Sequence, residues 1–145
     1  MNEAEFPSRL TAVVALQIPF HDIDSAGVVW HGHYFKYLEV ARCALLERIG
    51  YNYDAMAASG IGWPIVKTNA KFLRPLVFKQ VVKVAATLRE WDMQLVMDYR
   101  IDDENGVLCA RASTTQVPVN ARTHELQFGT PGVLLDRIKG YLDGG

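Results

Sequence analysis

Residues 33–49 constrain the fold more than any other part of the chain. Tyr34, Tyr37, Leu38, Ala41, Ala44, Leu45 and Ile49 recur at helical spacing, which predicts one long helix. Phe35, Val40 and Leu46 widen its apolar face until it nearly encircles the helix, so such a helix must be buried on most sides. Gly50 suits the position just past its C-terminus. After Gly60 the period falls to two. Strands are predicted over 65–72, 81–89, 95–101 and 107–117, and Asn105-Gly106 marks a hairpin. A first strand is predicted over 11–18, a loop over 21–32, and short helices over 53–59 and 131–141. The order is strand, buried helix, then a run of antiparallel strands. That order is α+β, with the helix packed on one sheet.

The 145 residues suit a single domain, 1–145, with a real core. A net charge of −1 gives no field that would favour nucleic acid or an anionic membrane. No apolar run approaches the roughly 18 residues of a membrane span. The acidic start, Met1-Asn2-Glu3-Ala4-Glu5, lacks the apolar stretch of a signal peptide. Cys43 falls in the helix pattern and Cys109 in a strand pattern, which reads as two small buried side chains in a reducing, cytoplasmic compartment.

The stretch from His21 to Tyr34 carries the chemistry. Asp24 approaches a turn that Gly27 permits, and the long helix follows at once. A helix N-terminus offers unpaired N–H groups and the positive end of the dipole. A carboxylate facing such donors across a small gap is an arrangement for acyl transfer: one side attacks or activates water, the other polarises the carbonyl. Asp24 also suits an Asx turn, and Asp22, two residues earlier, reads as a residue that holds the loop. Lys36, Glu39 and Arg42 read as an ion-paired set on the helix surface. His31-x-His33, with His21 and Asp22 nearby, leaves a metal-dependent hydrolase as a rival, and a non-catalytic acyl-binding protein is another.

Asp22-x-Asp24-x-x-Gly27-Val28-Val29-Trp30, followed by Tyr34 and Glu39-x-x-Arg42, resembles the 4-hydroxybenzoyl-CoA thioesterase family, including its Tol-Pal-associated acyl-CoA thioesterases. The resemblance continues through Gly62-Trp63-Pro64, Phe72-x-Arg74-Pro75 and Leu88-Arg89-Glu90-Trp91. It implies a hotdog fold, a long helix wrapped by a curved antiparallel sheet of about five strands. It also implies edge-to-edge pairing into a homodimer or homotetramer, with active sites at the subunit interface. The implied activity is hydrolysis of acyl-CoA or acyl-carrier-protein thioesters, with no metal or redox cofactor. Asp24 aligns with the family's catalytic carboxylate, as nucleophile or general base. His31 aligns with the position whose backbone N–H polarises the carbonyl.

Gly27, Val28 and Val29 would shape the turn, and Tyr34, Glu39, Trp63 and Arg74 would meet the substrate. Trp63 stands where the hydroxybenzoyl enzyme has a small residue, so its indole would either fill acyl space or pack in the core. His33 stands where Asn is usual. Asp92-Met93-Gln94 follows Trp91 where that enzyme is basic, which weakens the expected grip on the nucleotide of coenzyme A.

Overall fold

The computed structural model describes residues 10–144. The N-terminal stretch read as lacking a signal peptide lies outside them. The elements, in chain order, are β1 (Thr11–Gln17), α1 (Tyr34–Arg48), α2 (Tyr53–Ser59), β2 (Ile61–Gly62), β3 (Ile65–Phe72), β4 (Val81–Glu90), β5 (Leu95–Asp102), β6 (Leu108–Gln116), β7 (Val119–Asn120) and α3 (Gly132–Gly144). Two single 3₁₀ turns, Phe20–Asp22 and His31–His33, flank the loop ahead of α1. Every predicted long element is present within a few residues of its expected bounds. β2 and β7, which pair into a small second sheet, had no counterpart in the sequence reading.

β1, β4, β5, β6 and β3 form one antiparallel sheet in that spatial order, so β1 and β3 are its edges. The architecture is the expected α+β hotdog arrangement of a five-stranded sheet and one long helix. Register shifts at Ile65/Lys67 in β3 and Leu88/Glu90 in β4 interrupt the ladder, and bulges of this kind add twist. The inner face carries Val84, Ala86 and Leu88 of β4 beside Met97, Tyr99 and Ile101 of β5, all with no exposed surface. Onto this face α1 lays Tyr37, Leu38, Ala41 and Leu45. The hairpin at Asn105-Gly106 forms with Gly106 at φ +79°, and the Asp103 carboxylate takes the N–H groups of Asn105 and Val107.

One expectation for α1 is met only in part. The helix does not bury most of its circumference within this chain: Phe35 and Val40 are 38 % and 46 % exposed. The sheet covers one face; Leu46 is buried in the core, while Phe35 and Val40 remain uncovered.

Candidate active site

The loop ahead of α1 is a tight antiparallel turn. Ile23 and Val29 bridge across it, and the Asp24 N–H donates to the Val28 carbonyl at 2.9 Å. Gly27 closes the turn at φ +83°, a conformation open to glycine. Its N–H donates back to the Asp24 carbonyl at 3.0 Å. The Asp24 side chain is solvent-exposed and accepts the Ala26 N–H at 2.8 Å, an Asx turn that occupies one of its two oxygens. Val29 is buried and donates its N–H to Leu76, so the far arm of the turn is anchored in the core.

Three residues past Val28 the chain enters the 3₁₀ turn His31–His33, which runs directly into α1. No side chain caps either helical start. Among the described residues the N–H groups of His31 and Gly32 have no acceptor, whereas the His33 N–H is used by Trp30. Two adjacent free donors at the positive end of a fifteen-residue helix are suited to a developing oxyanion. The Trp30 indole folds over this turn: a Cβ added to Gly32 would lie 2.2 Å from its ring, so only glycine fits beneath it. The His31 and His33 rings flank the indole at 5.1 and 5.3 Å. Phe72, at the end of β3, lies against Tyr34 at 4.8 Å and His31 at 6.2 Å.

A cavity of about 250 Å³ opens further along the helix, between α1 and strands β3 and β6. Phe35, Leu38, Glu39 and Arg42 line it from the helix, and Ile65, Thr68 and Thr114 from the sheet. At 1.5 Å per residue its first wall, Phe35, stands roughly 6 Å along the helix from His31, and the lining runs on for roughly 10 Å. The walls are apolar near Phe35, Leu38 and Ile65. At the other end Arg42 lies 3.8 Å from the Glu39 carboxylate.

Asp22 is 2 % exposed, at the base of the loop. Its carboxylate receives Lys36 Nζ at 2.6 Å on one oxygen and the Tyr37 hydroxyl at 2.5 Å on the other. His21 Nε2 and His33 Nδ1 stand 3.7 and 3.9 Å away. Burial opposes the charge on Asp22, but the hydrogen bonds from Lys36 and Tyr37 and the Lys36 charge outweigh it and hold the carboxyl below the usual carboxylate range. Burial, together with donation to Asp22, pushes the Tyr37 hydroxyl well above the ordinary tyrosine range.

The expected site residues thus separate. The turn brings Asp24, Gly27, Val28, Val29 and His31 into one loop, and Glu39 lines the adjoining cavity. Tyr34 is buried behind Phe72 and does not line that cavity. Trp63 sits in the core of this chain, off that cavity. It is 7 % exposed in the core, donates Nε1 to the Tyr51 hydroxyl at 3.0 Å and is not among the cavity walls. Arg74 is exposed and likewise stands off the cavity. The expected Lys36–Glu39–Arg42 set divides, because Lys36 turns to the buried Asp22. His31 and His33 belong to no cluster of three or more ligating side chains among the described residues. Thr68 and Thr114 went unnoticed in the sequence, and Phe35 and Phe72 were noticed only as part of the helical pattern and of the resemblance, because only folding brings β3 and β6 to α1.

Comparison with known proteins gives the family and the fold. Residues 18–137 match the family described as the thioesterase-like superfamily. The Bacillus subtilis protein named "Putative acyl-CoA thioesterase YneP" is 25 % identical over 115 residues, which cover 78 % of this chain and 83 % of that protein. The 4-hydroxybenzoyl-CoA thioesterase of a Pseudomonas species is 28 % identical over 78 residues, 52 % of this chain and 55 % of that one. A hypothetical protein of Thermus thermophilus, solved as a crystal structure, superposes with a TM-score of 0.80 at 31 % identity, over 88 % of this chain and 97 % of that one. The chain belongs to the thioesterase-like superfamily and is a hotdog-fold thioester hydrolase.

Proposed function

We propose that the protein hydrolyses acyl-CoA thioesters at the turn ahead of α1. The observation that carries this reading is the pair of free N–H donors at His31 and Gly32, which follow an exposed carboxylate and precede a cavity of acyl dimensions. The thioester carbonyl rests on those donors, and the acyl group enters the cavity along Phe35 and Leu38. Asp24 attacks the carbonyl carbon. The C–S bond breaks, the thiolate leaves, and a mixed anhydride on Asp24 remains for water to hydrolyse to the free acid. A carboxylate is a sufficient nucleophile toward a strongly polarised carbonyl. A thiolate of pKa ~8.5 leaves with little acid assistance. The two relatives named for CoA thioesters support the same substrate class, and the free Cys43 and Cys109 suit a reducing, cytoplasmic setting.

A screen of acyl-CoA substrates, read by thiol release, tests the reading. Turnover of at least one acyl-CoA at kcat/KM above ~10⁴ M⁻¹s⁻¹ is expected, within the usual enzyme range. A folded protein that releases no thiol from any acyl-CoA or acyl-carrier-protein thioester contradicts it. The same assay reads the carrier. Asp92-Met93-Gln94 offers no cation to the nucleotide, so acyl-pantetheine should match acyl-CoA within ~10-fold. Phosphate contacts with charge-assisted bonds would instead give a CoA advantage above ~100-fold that falls with salt.

The active unit is a dimer at minimum. β3 is an unpaired edge with Ile65, Val66 and Phe72 at 44 %, 60 % and 44 % exposure, and Phe35 and Val40 of α1 are uncovered as well. An unpaired edge of that length, with apolar side chains at both ends, invites pairing with another strand. Light scattering at micromolar concentration should return a dimer or tetramer, and an active monomer would refute the assignment.

A further inference from the structure

We infer that Asp22 is a positioning residue for thioester hydrolysis: it sets the angle at which the His31 and Gly32 N–H groups meet the substrate carbonyl. The inference rests on the function proposed above and concerns a residue that touches no reacting atom in that scheme.

Asp22 joins the three segments that must agree for the site to work. Its backbone N–H donates to Pro19 at 3.2 Å, which closes the first 3₁₀ turn. Its carbonyl accepts the Trp30 N–H at 3.1 Å, one residue before the first free donor. Its carboxylate holds Lys36 and Tyr37, in the first turn of α1, at 2.6 and 2.5 Å. The two arms of the Asp24 turn and the start of the helix are therefore fixed to one another through a single residue, its backbone holding the turn and its carboxylate the helix. Lys36 and Tyr37 take separate oxygens, so the carboxylate plane cannot rotate without breaking a bond.

The cost of this arrangement argues for a role beyond holding the chain together. A buried carboxylate loses its hydration, and a buried ion pair is often no more stable than an apolar replacement of the same volume. What the pair does supply is direction, since charge-assisted hydrogen bonds are short and orienting. Donors aimed at an oxyanion need such direction, because a misplacement of about 1 Å at a reacting centre can lower the rate ~100-fold. The groups facing Asp22 are His21 and His33 from the loop and Lys36 and Tyr37 from α1. None of them carries a negative charge at neutral pH, since the Tyr37 phenol is pushed still further from ionisation, so the carboxylate meets no competing negative charge.

The test uses the full-length protein with Tyr37→Phe, Lys36→Met and Asp22→Asn, assayed beside wild type and Asp24→Asn on one acyl-CoA. Tyr37→Phe and Lys36→Met should each lower kcat about 5–20-fold with KM within ~2-fold of wild type, and Asp22→Asn about 100-fold. Tyr37→Phe added to Asp22→Asn should cost no more than Asp22→Asn alone, because both break the same anchor. A backbone readout accompanies the kinetics: amide exchange at Trp30 should speed up at least ~10-fold in each variant, and the His31 and Gly32 amide resonances should shift while those of β4 and β5 stay in place. Folded variants that keep kcat within ~2-fold, or that raise KM alone, overturn the inference, as do unmoved Trp30, His31 and Gly32 amides. If Asp22→Asn does not fold, Tyr37→Phe and Lys36→Met decide the matter. Failure of the function itself reads differently: wild type then releases no thiol, and the amides still report on the anchor.

Discussion

Asp24→Asn should abolish thioester hydrolysis and leave the fold untouched. The side chain is exposed, and its one hydrogen bond accepts the Ala26 N–H, which an asparagine carbonyl can also accept. The Asx turn, the Ile23–Val29 bridge and the Gly27 conformation therefore survive the change. What disappears is the nucleophilic charge. Loss of a group with a direct chemical role costs at least ~10²-fold in kcat. Denaturation midpoints should agree with wild type within the ±0.5 kcal/mol usual for surface substitutions. A variant that keeps more than ~10 % of wild-type kcat removes Asp24 from the chemistry.

Trp63→Ala should destabilise the protein by about 3–5 kcal/mol, the range for deleting a buried aromatic ring. The indole is packed in the core and donates to Tyr51, whose hydroxyl pairs in turn with Ser59 at 3.0 Å. Its carbonyl accepts the Gln116 side chain at 2.9 Å, so the backbone at Trp63 also ties β6 to the segment before β3. Trp63→Phe keeps most of the volume and should cost only about 1–3 kcal/mol, because the Tyr51 hydroxyl retains Ser59 as a partner. Urea unfolding monitored by circular dichroism measures both. A cost below ~1 kcal/mol for Trp63→Ala would mean that the indole does not support the core. A shift in acyl selectivity without loss of stability would return Trp63 to the substrate pocket.

The contrast between Trp63 and Asp24 shows what the sequence reveals and where it stops. Periodicity is a local property, so residues 33–49 announced α1, and the alternation after Gly60 announced β3 to β6. Two-residue strands such as β2 and β7 carry no period, and they escaped notice. The same periodicity overstated burial, because Phe35 and Val40 widen the apolar pattern but one sheet reaches only one side of a helix. Asp24, Gly27 and His31 were legible because the turn and the helical start lie within one short stretch. Lys36 was misassigned to Glu39 because helical spacing points to neighbours three and four residues away, whereas its partner lies fourteen residues back, in the loop. Thr68 and Thr114 reach the cavity, and Phe72 reaches Tyr34 and His31, through the β3–β6 pairing, which no spacing along the chain encodes. Stability at low pH follows the Asp22 contact. Its lowered pKa contributes stability that is fully present above the ordinary carboxylate range and is lost as pH falls through the lowered value, so the anchor is intact at neutral pH.

The most direct test of the central claim is a crystal structure of the protein with a ketone analogue of an acyl-CoA, in which a methylene separates carbonyl and sulfur and cleavage cannot occur. The carbonyl oxygen should sit 2.7–3.1 Å from the N–H of His31 or Gly32, the distance at which such donors stabilise an oxyanion. The Asp24 carboxylate should face the carbonyl carbon, and the acyl chain should lie along Phe35 and Leu38. A carbonyl bound elsewhere, with the His31 and Gly32 donors turned to solvent, would contradict the account.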